Sequence, residues 1–451
     1  MSGYCKKCGA LLIKNATFCH FCITSAMMVQ TAAQVQSEAQ AQPVVPTAQP
    51  YHASNTKQKP IWLMPFIAAA SLIMAIIISV IVYEDGTRSV IEDPFADVGP
   101  LVIELPSVEV PLAEEAPGTE EYPVAEEDPD DEDTETIERG TFTDFPVIVG
   151  EGTDFPLNAM ISIPDNATGK VPAVVLVHGD GVFDMDEEIF GNKPFRDIAE
   201  YLASYGIAVI RYDKRNLKHA KKMEEMFNGG ITAGETVIED VLLALELIKN
   251  DPRVDEDRVF MLGHSFGGYI APRIHIENGV FAGIISYAGT PLSYVDRAYY
   301  KVMDDIAIMP EGKEKEDEYE KWKNWDVEYR YYLYNTPDDE LKSETWGEYP
   351  LYFFKDLENH PIPDYVMEAT IPFLIIQGSD DFAVDVVHDY AAWQELFEGR
   401  DNATFKLYEG LNHFLFPSQG YEYEDWEKEY GAPGHTDAQV LADIVEWIYS
   451  N

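Results

Sequence analysis

Three observations predict an α/β fold for residues 140–451. Short apolar runs alternate there with amphipathic stretches. Several runs, among them Val171-Pro-Ala-Val-Val-Leu-Val177 and Ile371-Pro-Phe-Leu-Ile-Ile376, are apolar throughout, as strands buried on both faces are. One run, Arg258-Val-Phe-Met-Leu262, leads straight into Gly263-His264-Ser265-Phe266-Gly267-Gly268, a serine between glycines where a strand gives way to a helix over 269–277. At 451 residues the chain is too long for one ordinary domain, so appendages should accompany this core. A formal net charge of −48 argues against nucleic acid or anionic lipid as a partner, since both would be repelled.

The four cysteines all fall within the first 22 residues, as Cys5-Lys-Lys-Cys8 and Cys19-His-Phe-Cys22. Four thiolates at that spacing suit tetrahedral zinc, so residues 1–24 read as a zinc ribbon with a closed, structural site. Two disulfides are the alternative. The run Tyr4-Cys-Lys-Lys-Cys-Gly-Ala-Leu-Leu12 resembles the small ribbons that open many prokaryotic membrane proteins, although Ile23 stands where glycine is usual. The ribbon's partner is not legible. Residues 25–60, rich in Ala, Gln, Val and Pro, read as a flexible linker. Residues 61–83 run 23 positions without a charge, enough for one transmembrane helix, with Trp62 and Tyr83 at its ends. Lys57 and Lys59 precede it, and Glu84 and Asp85 follow with only Arg88 nearby. The expectation is a single-pass protein of the cell membrane, its N-terminus cytoplasmic and its larger domain outside. Residues 84–138 carry 20 carboxylates against Arg88 alone, with a proline about every six residues, and read as a disordered acidic stalk (84–139). Calcium or cationic-wall binding by 126–135 is the rival reading.

Within the core, 145–149 and 157–163 suggest an antiparallel hairpin, and 171–177 a buried strand ending in His178-Gly179-Asp180-Gly181. A helix over 192–205, a strand over 207–213 and a longer helix over 232–250 precede the serine turn. A strand over 282–288 follows it. From 291 to 364 the alternation stops and aromatic and charged residues crowd in, which predicts a helical cap over the site. Most of these aromatics should fasten cap to core, and any facing the cleft would bind an apolar or ring-bearing substrate. Strands over 371–376 and 403–408 and a helix over 440–449 close the domain.

A serine on such a turn is the nucleophile elbow of an α/β-hydrolase. It needs a base, and the base needs a carboxylate, in the chain order serine, acid, histidine. His413 is the base candidate, because it alone among the histidines lies on a loop after a late strand with glycine and asparagine beside it. His264 should point away from the cleft, and His178 marks the loop whose amides approach the reacting oxygen. The acid is Asp380 or Asp381. The Phe266 amide, at a helix start, would be one oxyanion donor.

The run from Asn192 to Arg215, the Gly-His-Ser-Phe-Gly-Gly elbow and Gly410-Leu-Asn-His413 resemble the bacterial carboxylesterase branch of α/β-hydrolases, related to dienelactone hydrolases and prolyl-oligopeptidase-like enzymes. The resemblance covers about 140–451. It implies that Asp381 is the acid, from the alignment of Gln-Gly-x-x-Asp-aromatic-x-Val on 377–384, and that the Asp180 amide is the second oxyanion donor. Serine is common at position 180, so the Asp180 carboxylate must turn away from the charge its amide would hold. Asp213 and Arg215 match the family too and read as structural. The expectation is a serine hydrolase, a carboxylesterase acting through an acyl-enzyme on a small ester or acylated substrate and needing no cofactor for catalysis. A serine peptidase or acyltransferase of the same fold is the alternative, although no propeller repeat is present. A non-catalytic surface sensor is the reading from a different class.

Overall fold

The computed structural model describes residues 139–165, 167–278 and 280–451, with the backbone of four short strands nearer the N-terminus. The chain divides into two compact units, Met1–Ile61 and Trp62–Asn451. In the first, Gly3–Tyr4 pairs antiparallel with Leu11–Leu12. In the second, Leu101–Glu104 pairs antiparallel with Thr134–Ile137, which corrects the reading of 84–139 as a stalk without regular structure. Both segments are rich in β-branched residues, and that local preference outlasts the acidic, proline-rich surroundings. The four cysteines and residues 61–83 lie outside the described residues. Among the described residues no helix is long and apolar enough to cross a membrane, and no cluster of three or more His, Cys, Asp or Glu is arranged to hold a metal ion.

The core is an eight-stranded sheet. Its strands are β1 (Phe142–Val149), β2 (Leu157–Pro164), β3 (Val171–Val177), β4 (Ala208–Tyr212), β5 (Val254–His264), β6 (Ile284–Tyr287), β7 (Phe373–Gly378) and β8 (Ala403–Tyr408). They lie in the order β1-β2-β4-β3-β5-β6-β7-β8. β2 is antiparallel to both its neighbours and every other pairing is parallel. The expected hairpin is therefore β1–β2, closing at Val149 and Leu157. β3 and β7 are buried along their whole length, as their unbroken apolar sequences require.

Alternate side chains of each strand serve opposite faces. Val175, Val177, Met261 and Ile375 pack on one side with α3 (Glu239–Lys249) and α4 (Phe266–Asn278). Val174, Leu176, Phe260, Leu262 and Ile376 pack on the other with α1 (Pro194–Ser204) and the C-terminal helix Ala438–Ser450. The chain thus leaves β3 for one face and β5 for the other, and this divergence opens a crevice above their carboxyl ends. α3 is preceded by a π-helical turn, Gly234–Ile238, so the helix expected over 232–250 is a composite.

Helix α2 (Arg215–Phe227) has no counterpart in the sequence reading. Only Arg215 and Met223 are buried along it, too few to give an apolar period. The cap is helical as expected, built of α5 (Tyr294–Ala307), α6 (Lys313–Trp322), α7 (Trp325–Asn335), α8 (Leu351–Asn359) and α9 (Ile362–Glu368). Half-buried Arg330 on α7 joins three of these helices, with Asp296 of α5 and Glu358 of α8 each 2.6 Å away. Burial opposes the Arg330 charge, but these two carboxylates hold it firmly protonated.

A Cβ at Gly267 would stand 2.2 Å from the Val177 carbonyl oxygen at the end of β3, where only backbone could yield. Gly267→Ala should destabilise the domain by about 3 kcal/mol or more, the upper end of overpacking costs, or prevent folding; a urea-unfolding midpoint equal to wild type would contradict this.

Candidate active site

The site is assembled from loops at the carboxyl ends of parallel strands, which necessarily lie along one edge of the sheet. At the end of β5, Ser265 has φ of 52°, a left-handed conformation that costs a serine strain and lifts its side chain off the sheet. Two close approaches hold it there. A Cβ on Gly263 would meet the Gly267 carbonyl at 2.3 Å, and Gly267 lies against β3 as described. The Ser265 amide donates to the Tyr287 carbonyl at 2.9 Å. Phe266 opens α4, so its amide has no acceptor within the helix.

His413 follows β8, and its Nδ1 lies 2.7 Å from Asp381 Oδ2. Asp381 follows β7 and is saturated with donors. Its Oδ2 also accepts from the Gln377 amide at 2.8 Å, and Oδ1 accepts from the Ala383 and Val384 amides at 2.8 and 2.9 Å. Such a carboxylate has one orientation available, and the histidine bonded to it is fixed with its proton on Nδ1. Asp380 lies on the outer side of the same loop, accepting from Ser379 Oγ at 2.7 Å. The contact to His413 therefore belongs to Asp381. Asn412 braces the histidine loop, its Oδ1 accepting from the Phe414 and Phe416 amides at 3.1 and 3.2 Å. Buried Glu429 in turn accepts from Asn412 at 3.0 Å.

His264 points into the interior. Its Nε2 lies 3.2 Å from the His413 carbonyl, and its Nδ1 lies 3.0 Å from Glu187 Oε2, an ion-pair approach without hydrogen-bond alignment. Burial pushes the Glu187 carboxyl up, but His264 and the bonded Gly179 amide together hold it below the usual carboxylate range. His264 thus ties the elbow to the backbone of the histidine loop. Two other histidines bond away from this edge, His388 to Asp304 and His435 to Asp197.

The loop after β3 carries the second expected oxyanion donor. Gly179 packs against the elbow so closely that a Cβ there would meet Ser265 Cβ at 3.1 Å. Its N–H donates to Glu187 Oε1 at 2.7 Å, and its carbonyl accepts from Lys214 Nζ at 2.6 Å. The Gly181 carbonyl accepts from Asn216 at 3.0 Å. The Asp180 carboxylate is engaged by the cap. Tyr294 donates to one oxygen at 2.6 Å and Tyr349 to the other at 2.7 Å. Burial and then the Asp180 charge push both tyrosines well up, so both stay protonated donors. His178 is buried, bonded to the Asp184 carbonyl at 2.9 Å, and burial pushes its pKa down to about 4.

Asp213 and Arg215 serve the scaffold. Asp213 accepts from the Met185 amide and the Asn158 side chain, and Arg215 pairs with Asp240 and Glu239. Sequence reasoning missed Glu187, Lys214, Glu429 and the roles of Tyr294 and Tyr349. The available signal was three charged residues in a row, Asp213-Lys214-Arg215, directly after a buried strand.

Against known proteins, the profile described as the prolyl oligopeptidase family matches residues 195–431, a span that includes Ser265, Asp381 and His413. The chain belongs to the prolyl oligopeptidase family. It is 33% identical over 303 residues to the esterase EstD of Thermotoga maritima, across 66% of this chain and 67% of that protein. Among solved structures it is similar to Est1E from Butyrivibrio proteoclasticus, at 17% identity and a TM-score of 0.40, covering 67% of this chain and 97% of that one. It is also similar to the Pyrococcus horikoshii acylaminoacyl peptidase, at 17% identity and a TM-score of 0.40, covering 60% of this chain and 38% of that one. As a member of the prolyl oligopeptidase family, the protein is a serine hydrolase of the α/β-hydrolase fold. Esterases and peptidases of this family typically need no cofactor for catalysis.

Asp381→Asn keeps the shape of the acid but takes the wrong partner from Nδ1, and should lower kcat by about 10⁴-fold with little change in KM; a loss under tenfold would place the orienting carboxylate elsewhere. His178 supplies a stability test. Its folded pKa of about 4 lies below the ordinary 6.5, so the unfolded chain takes up the proton first. The contribution is whole above about 6.5 and is lost as pH falls towards about 4. Urea titrations across that window should slope less steeply in His178→Gln than in wild type.

Proposed function

We propose that the protein is a membrane-anchored carboxylic ester hydrolase working through an acyl-enzyme on Ser265. His413 Nε2 takes the Ser265 proton as Oγ attacks the ester carbonyl, and the Phe266 and Asp180 amides hold the oxyanion. His413 returns the proton to the departing alkoxide, and the acyl group stays on Ser265. Water, deprotonated by the same nitrogen, then releases the acid. Asp381 keeps the imidazole in one tautomer and stabilises its charged form. The observation that carries this reading is the 2.7 Å contact of His413 Nδ1 with a fully bonded Asp381, which leaves Nε2 as the working base. The esterase EstD, at 33% identity, favours esters as the substrate class. The family profile favours a second reading, peptide-bond hydrolysis by the same residues.

Small esters with an apolar or ring-bearing part suit a cap rich in aromatics, of which half-buried Tyr294 packs against Phe266, next to Ser265, while Tyr349 and Phe353 stack 4.3 Å apart in the core. The uncharged run 61–83 supports the membrane anchor, and the flanking charges support an extracytoplasmic hydrolase domain. Cys5, Cys8, Cys19 and Cys22 offer a closed set of four thiolates that suits structural zinc.

A fluorophosphonate probe should label the full chain at Ser265 and leave Ser265→Ala unlabelled. The same preparation should turn over p-nitrophenyl esters faster than aminoacyl amides. A folded wild-type chain inert to the probe would overturn the catalytic reading, and amides as the better substrates would favour the peptidase.

A further inference from the structure

Lysine is seldom buried, because an ammonium loses its hydration there. Lys214 is nonetheless only 6% exposed, at the carboxyl end of β4, with its own amide bonded to the Phe183 carbonyl at 3.0 Å. Its Nζ is directed at the Gly179 carbonyl oxygen, 2.6 Å away. That oxygen and the Asp180 N–H are the two ends of one peptide unit. A cation on the oxygen draws electron density from the amide and strengthens the N–H at the other end as a donor. Burial pushes the Lys214 pKa down, while four carboxylates, Asp180, Glu187, Glu348 and Asp240, favour the charged ammonium.

The same peptide presents an electrostatic conflict. Its N–H is the proposed oxyanion donor, while the side chain of that very residue is a carboxylate. Tyr294 and Tyr349 hydrogen-bond the carboxylate but bring no charge to it. When the carbonyl oxygen of a substrate becomes an oxyanion, a second negative charge forms close to Asp180, and in a water-poor crevice that repulsion is poorly screened. A positive charge seated on the intervening peptide answers both effects.

Resting on the reading of the Asp180 amide as an oxyanion donor, we propose that Lys214 is a positioning residue for the oxyanion hole, its ammonium polarising the Gly179–Asp180 peptide and offsetting the charge of the Asp180 side chain. Lys214 touches no reacting atom in this scheme and acts through the amide it polarises. Its effect belongs to the transition state, so it should appear in kcat and not in KM.

The test uses the full chain and the variants Lys214→Met, Asp180→Asn and the double variant, assayed on a p-nitrophenyl ester and with a trifluoromethyl ketone that forms an oxyanion adduct on serine. Lys214→Met should lower kcat by about 100-fold, the lower end of what an oxyanion donor is worth, with KM within about twofold of wild type. Affinity for the trifluoromethyl ketone should fall in the same proportion. Adding Asp180→Asn should recover about tenfold of the loss, since the charge to be offset is then gone; simple loss of packing around Lys214 would give no such recovery. If Lys214→Met alone does not fold, the double variant compared with Asp180→Asn decides: a cost of about tenfold is the expected result, and no cost or one of about 100-fold overturns the proposal. Unchanged kcat in folded Lys214→Met, or a double variant no better than Lys214→Met, would overturn the proposal. A fluorophosphonate-labelled wild type with either result leaves the hydrolase reading standing, whereas an unlabelled wild type removes both.

Discussion

The molecule turns on a contact between two pieces of backbone. Gly267, the second residue of α4, lies where the Val177 carbonyl at the end of β3 occupies the space a side chain would need. This contact fixes the helix start over the neighbouring strand, and with it the direction in which Ser265 leaves β5. It also presses the Gly179 loop against Ser265. Serine, helix amide and second loop are thereby positioned by covalent geometry and close packing, with no flexible side chain between them. Interiors packed to this density have few alternative arrangements, so the elbow either forms as a unit or fails as one. The loops that carry Asp381 and His413 then follow from the parallel strands beside it, each leaving the sheet along the same edge.

What the sequence revealed depended on whether burial left a periodic trace. β3 and β8 have the limits expected of them, because each is an apolar or alternating run bounded by turn residues. Ser265, Asp381 and His413 stood out in the sequence for the same reason, since each follows such a run. The choice between Asp380 and Asp381 was not open to residue-level reasoning: both are aspartates on one turn, and the difference is that one carboxylate meets Gln377 and His413 while the other faces outward. α2 left no trace because it buries almost nothing. The pairing of Leu101–Glu104 with Thr134–Ile137 was hidden by carboxylates and prolines around it. Lys214 was hidden by its type, because lysine in a sequence reads as surface.

Polar contacts add direction to the apolar packing that joins the cap to the sheet. Arg297 of α5 donates to the Ala383 carbonyl and pairs with buried Asp389, which also accepts from Thr290. His388 reaches Asp304 of the same helix at 2.8 Å. The Asp381 loop is therefore held from the cap side as well as from the sheet. Arg330 performs the corresponding task inside the cap, where three helices share one guanidinium. Such networks are directional, so they fix the separation of elements that apolar packing alone would leave adjustable. This accounts for a cap whose sequence looks like surface, with charges and aromatics interleaved, yet whose helices meet the core in a defined way.

The two tyrosines on Asp180 carry an evolutionary consequence. Caps are the segments by which enzymes of one scaffold acquire new substrates, and they usually diverge faster than the sheet beneath. Here Tyr294 and Tyr349 are cap residues, yet their hydroxyls hold the side chain beside the proposed oxyanion donor. A descendant that exchanged this cap for another would inherit an aspartate with its hydrogen bonds withdrawn, at the point where negative charge is least welcome. A small neutral residue at position 180 would remove that liability. Cap and position 180 are thus coupled, because exchanging one changes the hydrogen bonds available to the other.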